Sequence, residues 1–198
     1  MIQRHIFIWV VSFALVIASN LFYTSNYLQD AVSEKKSVVL FLGNDVGRQV
    51  LSNSNVAYKA CCNFLASFTQ KIFVPNKGST VDDDVKSSAR MIHGAFWTSI
   101  YMSIVRAQVS LLWLYSLCFL FVGIFFHGYV RREHIKYSLS WSSPDKYGWG
   151  WHSMIASVGL FFSYIFFPIA ITPFAPAVML VLSMFGFYLL VSNFQQKI

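Results

Sequence analysis

The sequence predicts an all-α integral membrane protein: four transmembrane helices, with a helical extracytoplasmic segment between the first and the second. Three observations point there. Of 198 residues, 56% are hydrophobic and 12% charged, whereas a soluble domain carries about 45–50% and about 25%. The apolar residues gather into runs long enough to cross a bilayer, which takes about 20 residues of helix. The basic residues behind the net charge of +7 lie in short patches beside those runs, where they orient a chain and meet anionic headgroups. They form no stripe of their own, so direct DNA binding is not expected.

The N-terminal tip and first span occupy residues 1–22, with Ile6 to Phe22 as the apolar run behind Arg4 and His5. No A-x-A cleavage site follows it, so an anchor is expected rather than a removable signal. Residues 23–106 form the extracytoplasmic segment, too long to be bare loop. From about Asp45 to Val74 the spacing of Cys61, Phe64, Leu65, Phe68 and Ile72 is that of an amphipathic helix. Pro75-Asn76-Lys77-Gly78 stops it. Asp82, Asp83 and Asp84, then Ser87 and Ser88, suit a helix start. The apolar pattern from Met91 to Val105 runs on into span two, predicting one helix of about 35–40 residues by that periodicity.

Span two is residues 107–126, without a charge. A basic connection, 127–153, leads to span three, 154–171, and span four, 176–194, with 195–198 as a tail. Pro173 and Pro176 suit a tight turn between the last two spans, and Pro168 predicts a kink. Arg131, Arg132, Lys136 and Lys146 outnumber Glu133 and Asp145 in the connection, Arg4 and Lys197 mark the termini, and the last turn is uncharged. The positive-inside rule then puts both termini and the connection in the cytoplasm.

The search for chemistry finds no phosphate loop, dinucleotide fingerprint, H-E-x-x-H or paired C-x-x-C. His127 and His134 share a helix face two turns apart, which suits interfacial side chains better than a metal site. No catalytic, cofactor-binding or metal-binding residue is assigned. The four spans as bounded contain no Asp, Glu, Lys, Arg or His, which argues against a pump, a proton-coupled transporter or an intramembrane protease. Small residues such as Ser110, Ser116, Gly123, Ser157, Gly159, Ser183 and Gly186 suit close helix packing, within the chain or in a homo-oligomer. Cys118 reads as a packing residue, and Cys61 and Cys62 read as two half-buried thiols on one helix, with a cross-link to another subunit as the alternative in an oxidising compartment.

The most distinctive stretch runs from Phe126 through Arg131, Arg132, Glu133, His134 and Lys136 to Trp149 and Trp151. It reads either as an anchor to headgroups, with tryptophans at the boundary, or as a cytoplasmic docking surface. Its helix end at Gly128-Tyr129-Val130-Arg131-Arg132-Glu133, the Tyr-rich lead into span three, the Pro168/Pro173 hairpin and the final Asn193-Phe194-Gln195-Gln196-Lys197 resemble the integrating conjugative element membrane proteins, a domain-of-unknown-function family. That family tends to carry Asp where this chain has His127. The resemblance implies a non-enzymatic component of type IV secretion and conjugation in the bacterial inner membrane, working beside partners such as the coupling ATPase. The competing class is an oligomeric channel or an entry-exclusion protein.

Overall fold

In the computed structural model, the described residues are 27–73, 83–138, 143–167 and 169–194, with scattered positions between 10 and 18. The first span therefore falls largely outside the described residues, as does Pro168. Among the described residues the chain forms six helices longer than ten residues: α1 (Tyr27–Leu42), α2 (Asn44–Cys61), α3 (Asn63–Phe73), α4 (Asp83–Tyr137), α5 (Pro144–Phe166) and α6 (Ala175–Ser192). There is no strand among them. The all-helical expectation holds.

The chain divides into two compact units. The first takes in residues up to Val109 together with Ser163–Pro173, and the second takes in Ser110–Phe162 and Phe174 onward. In the first unit, α1 turns into α2 at Gly43, whose φ of 85° lies in the left-handed region that side chains avoid. The expected helix over Asp45–Val74 is two helices that meet at Cys62, which caps α2 through its N–H to Tyr58 O and bends the run with a φ of −117°. α3 keeps Phe64, Leu65, Phe68 and Ile72 exposed. Its apolar stripe was legible, and no other described element covers it.

α4 has 55 residues, longer than the expected 35–40. Its start agrees with the Asp/Ser-rich cue. Its end lies at Tyr137 rather than near the last apolar residue, since nothing between Phe126 and Tyr137 breaks a helix except Gly128, which a helix tolerates at about 1 kcal/mol. α5 also departs from the expected 154–171. It starts at Pro144, where Ser143 Oγ accepts the Lys146 N–H at 3.4 Å and Asp145 sits in the first turn, an arrangement that caps and charges a helix N-terminus. It ends at Phe166, leaving Phe167 and residues 169–174 as connection. The 127–153 connection is thus mostly helix, the tail of α4 and the head of α5. α6 matches span four closely, with proline in its first turn.

Among the described residues, two helices, α4 and α6, are long and apolar enough to cross a membrane. Within the second unit, α5 and α6 meet at backbone distance. A Cβ on Gly150 would lie 2.8 Å from Gly186 O, and one on Gly186 would lie 3.1 Å from Gly150 O. Ser183 donates to Ser157 at 2.7 Å beside that contact. Of the small residues expected to pack helices, Ser157, Ser183 and Gly186 do so here, whereas Ser116 is exposed and a Cβ on Gly123 would meet nothing within 4 Å.

Candidate functional site

The most chemically loaded point of the chain lies in the first unit, at Arg106. This residue is one position before the apolar run of α4, and its side chain is 2% exposed, as is that of Glu34 on α1. Arg106 Nε donates to Glu34 Oε1 at 2.7 Å and Nη2 donates to Oε2 at 2.6 Å, the bidentate fork that only arginine offers a carboxylate. The remaining donors turn to the end of α5. Nη2 reaches Ile169 O at 2.8 Å, and Nη1 reaches Tyr164 O at 3.2 Å and also Phe167 O. Helix α5 leaves its last carbonyls without intrahelical donors, and one guanidinium satisfies that of Tyr164 together with those of Phe167 and Ile169 beyond the helix end, while neutralising Glu34.

Around this pair the wall is made of Tyr27, Val38, Met102, Val105 and Tyr164, all buried. The Tyr164 ring stands 5.7 Å from the guanidinium carbon. Burial pushes the Tyr27 phenol above its ordinary value. The cluster is a structural clamp joining α1, α4 and the end of α5. Removing one partner of such a pair costs about 3–5 kcal/mol, because the other charge stays buried and uncompensated.

A smaller polar cluster holds α3 to the upper part of α4. Trp97 Nε1 donates to Thr69 Oγ1 at 3.0 Å and lies 3.1 Å from His93 Nε2, which is itself 3.1 Å from Thr69 Oγ1. Among the described residues no group of three His, Cys, Asp or Glu could hold a metal ion.

The sequence-predicted site residues lie in the second unit, on α4 and α5. Arg131 donates to Tyr188 Oη at 2.5 Å and its guanidinium stands 5.7 Å from that ring. His127 stacks on the same tyrosine at 5.6 Å. Arg132 lies over Phe194 at 5.1 Å, with its Nε buried and lacking a hydrogen-bond partner. Lys136 pairs with Glu133 at 2.5 Å, and His134 is exposed. The two arginines, expected to face headgroups or a partner, are thus tied to α6 and the residues just after it. Trp149 is 73% exposed and Trp151 40%. In the first unit, Cys61 is exposed and Cys62 half-buried, both as free thiols.

Sequence reasoning missed the Arg106–Glu34 pair. Glu34 precedes Lys35-Lys36 and reads as one more surface charge, and Arg106 reads as the first interfacial residue above a span. Seventy-two positions separate them, so no local spacing could join them.

Residues 23–195 match the profile of the family described as IncC plasmid conjugative DNA transfer protein DtrJ-like. The chain belongs to this DtrJ-like family. Membership ties the protein to conjugative DNA transfer, the process that the resemblance of its second half to conjugative element proteins also implies. The profile covers both units, so the α1–α4 segment belongs to the family as much as the hairpin of α5 and α6 does. No curated protein and no solved structure matches the chain.

Proposed function

We propose that this DtrJ-like protein is a non-enzymatic, multi-pass inner-membrane component of a conjugative type IV secretion system. On this reading both termini and the basic ends of α4 and α5 face the cytoplasm, and that surface docks a partner such as the coupling ATPase. The observation that carries it is the tail of α4. The helix does not stop at the end of its apolar run but continues through Arg131 to Tyr137, about 16 Å of further rise from His127. A headgroup anchor needs long flexible side chains at the boundary, whereas Arg131 and Arg132 are held against Tyr188 and Phe194. An ordered basic edge beside exposed His134 and Trp149 suits recognition of a protein carboxylate and an apolar pocket.

The test is DNA transfer by strains carrying Arg131 and Arg132 variants at equal membrane levels. Replacing both with Glu should abolish transfer, and replacing both with Lys should impair it strongly, because Lys keeps the charge but loses the planar fork. Tyr188→Phe removes the internal acceptor of Arg131 and should leave transfer near wild type. A Lys pair that transfers at the wild-type rate, with the Glu pair failing only through misinsertion, would sink the docking role.

A further inference from the structure

The first unit also contains two adjoining concavities that share one side chain. The larger in polar character is a cleft of about 290 Å³ between α1, α2 and α4, bordered by Lys35, Lys59, Asn55, Tyr58, Trp97 and Tyr101. The neighbouring groove, about 440 Å³, is bordered by Lys35, Lys36, Val39, Leu40 and Leu51. Lys35 stands on the rim between them. Its ammonium lies 4.2 Å from the centre of the Tyr101 ring, and among the described residues no carboxylate pairs with it or with Lys59. Burial lowers the pKa of the Lys35 amine, which is what an anionic ligand would relieve.

We propose that the two concavities form one site for an anionic amphiphile, a phospholipid whose headgroup phosphate lies between Lys35 and Lys59 and whose acyl chain lies along Val39, Leu40 and Leu51. The inference rests on the membrane reading of α4. Tyr101 lies about 9 Å of helix rise above Ala107, at the outer edge of the headgroup layer, about 5–8 Å deep, over a span starting there. α3 lies about one turn further along α4, with its Thr69 bonded to Trp97, and it exposes Phe64, Leu65, Phe68 and Ile72, an apolar stripe of the kind a helix lays on an interface. Tyrosine and tryptophan are the residues of that layer. A free phosphate would use the lysines and ignore the groove. A phospholipid uses both, and Lys35 is the residue where its two chemistries meet.

The experiment uses the full-length protein purified in a neutral maltoside detergent and followed by native mass spectrometry. Probes are phosphatidylglycerol, phosphatidylcholine of the same chains, and inorganic phosphate. Wild type should retain phosphatidylglycerol in preference to phosphatidylcholine. Lys35→Gln with Lys59→Gln should weaken retention about thirtyfold, the sum expected for two lysines near an anionic lipid. Lys71→Gln, which removes a charge outside the cleft, should not. Arg at both positions should preserve binding, which shows that the Gln pair fails through charge and not through folding. Leu40→Asp, at an exposed groove position, should weaken the lipid as well. Retention by the Gln pair equal to wild type would overturn the site, and displacement of the lipid by equimolar inorganic phosphate would overturn the amphiphile. None of these readings requires transfer, so loss of docking at Arg131 and loss of this site are distinguishable.

Discussion

The two units of this protein bury different things. The first buries charge: Arg106, Glu34 and a ring of buried tyrosine and apolar side chains. The second closes on small residues and stacked rings, with Gly150 against Gly186, Ser157 against Ser183, and Phe187 stacked on Phe121 and Phe125 at 5.0 and 5.9 Å. Its outer surface is apolar, with Tyr115 81% and Phe119 86% exposed, as lipid-facing residues are. On the membrane reading proposed above, the contrast follows from solvent. Where the surroundings are hydrocarbon, burying more apolar area gains little and close backbone packing holds helices together. Where water is at hand, a fully satisfied ion pair can specify which segments meet. The lesson is that one continuous helix, α4, serves both regimes, with Arg106 next to the point where one gives way to the other.

The largest effect should come from breaking the charged core. Arg106→Ala leaves Glu34 buried and alone and strips three carbonyls of their donor. The expected loss is about 3–5 kcal/mol, read as a fall in the thermal midpoint of the detergent-solubilised protein. Glu34→Gln should lose less, because the amide still accepts from one arm of the fork. A neutral Arg106→Ala would mean that the first unit is held by packing alone and that the contrast drawn here is false.

A smaller loss is expected from overpacking the second unit. Gly186→Leu places a side chain where even a Cβ is already 3.1 Å from backbone, so α5 and α6 must separate, at about 1–3 kcal/mol. Cross-linking of cysteines introduced at Ser157 and Ser183, whose hydroxyls lie 2.7 Å apart, should fall in parallel. Gly186→Ala should sit between the two, and equal stability of all three would show that the close approach carries nothing.

The smallest effect concerns reactivity outside the spans. Burial, and then the neighbouring Cys61 thiol, push the Cys62 thiol above its ordinary value. A raised thiol pKa means less thiolate, the reactive form, at any pH below it. With Cys118 replaced by Ala throughout, the Cys61→Ser protein should alkylate slowly and gain rate as the pH rises toward that raised value, whereas the Cys62→Ser protein, with only exposed Cys61 left, should react first. Equal rates in the two single mutants would contradict the burial assigned to Cys62.

What the sequence disclosed and what it hid divide along the same line. The helical character, the Asp/Ser start of α4, the proline at the head of α6 and the small residues of the second unit are local signals, written in spacing and composition. The head of α5 is also written locally, in Ser143-Pro144-Asp145, but the same residues suit a turn equally well. The split of the outer helix at Cys62 has no breaker residue to announce it. The charged core and the Lys35 cleft are non-local. They join α1 to residues more than sixty positions away, and each partner by itself looks like a solvated charge. Arg131 and Arg132 were recognised as important, but their partners Tyr188 and Phe194 could not be named from a linear pattern.

The clamp at Arg106 also fixes an order of assembly. Its partners lie 72 residues before it and 58 to 63 residues after it, so it is among the longest-range contacts the chain makes. Contacts of that separation close late, because the loop between them must lose its freedom first. A growing chain therefore holds a bare guanidinium at residue 106 until the already synthesised Glu34 packs against it, and holds it half-bonded until Ile169 has been made. Completion of the clamp reports that the end of α5 is in place, and an unfinished molecule carries its own mark of incompleteness at residue 106.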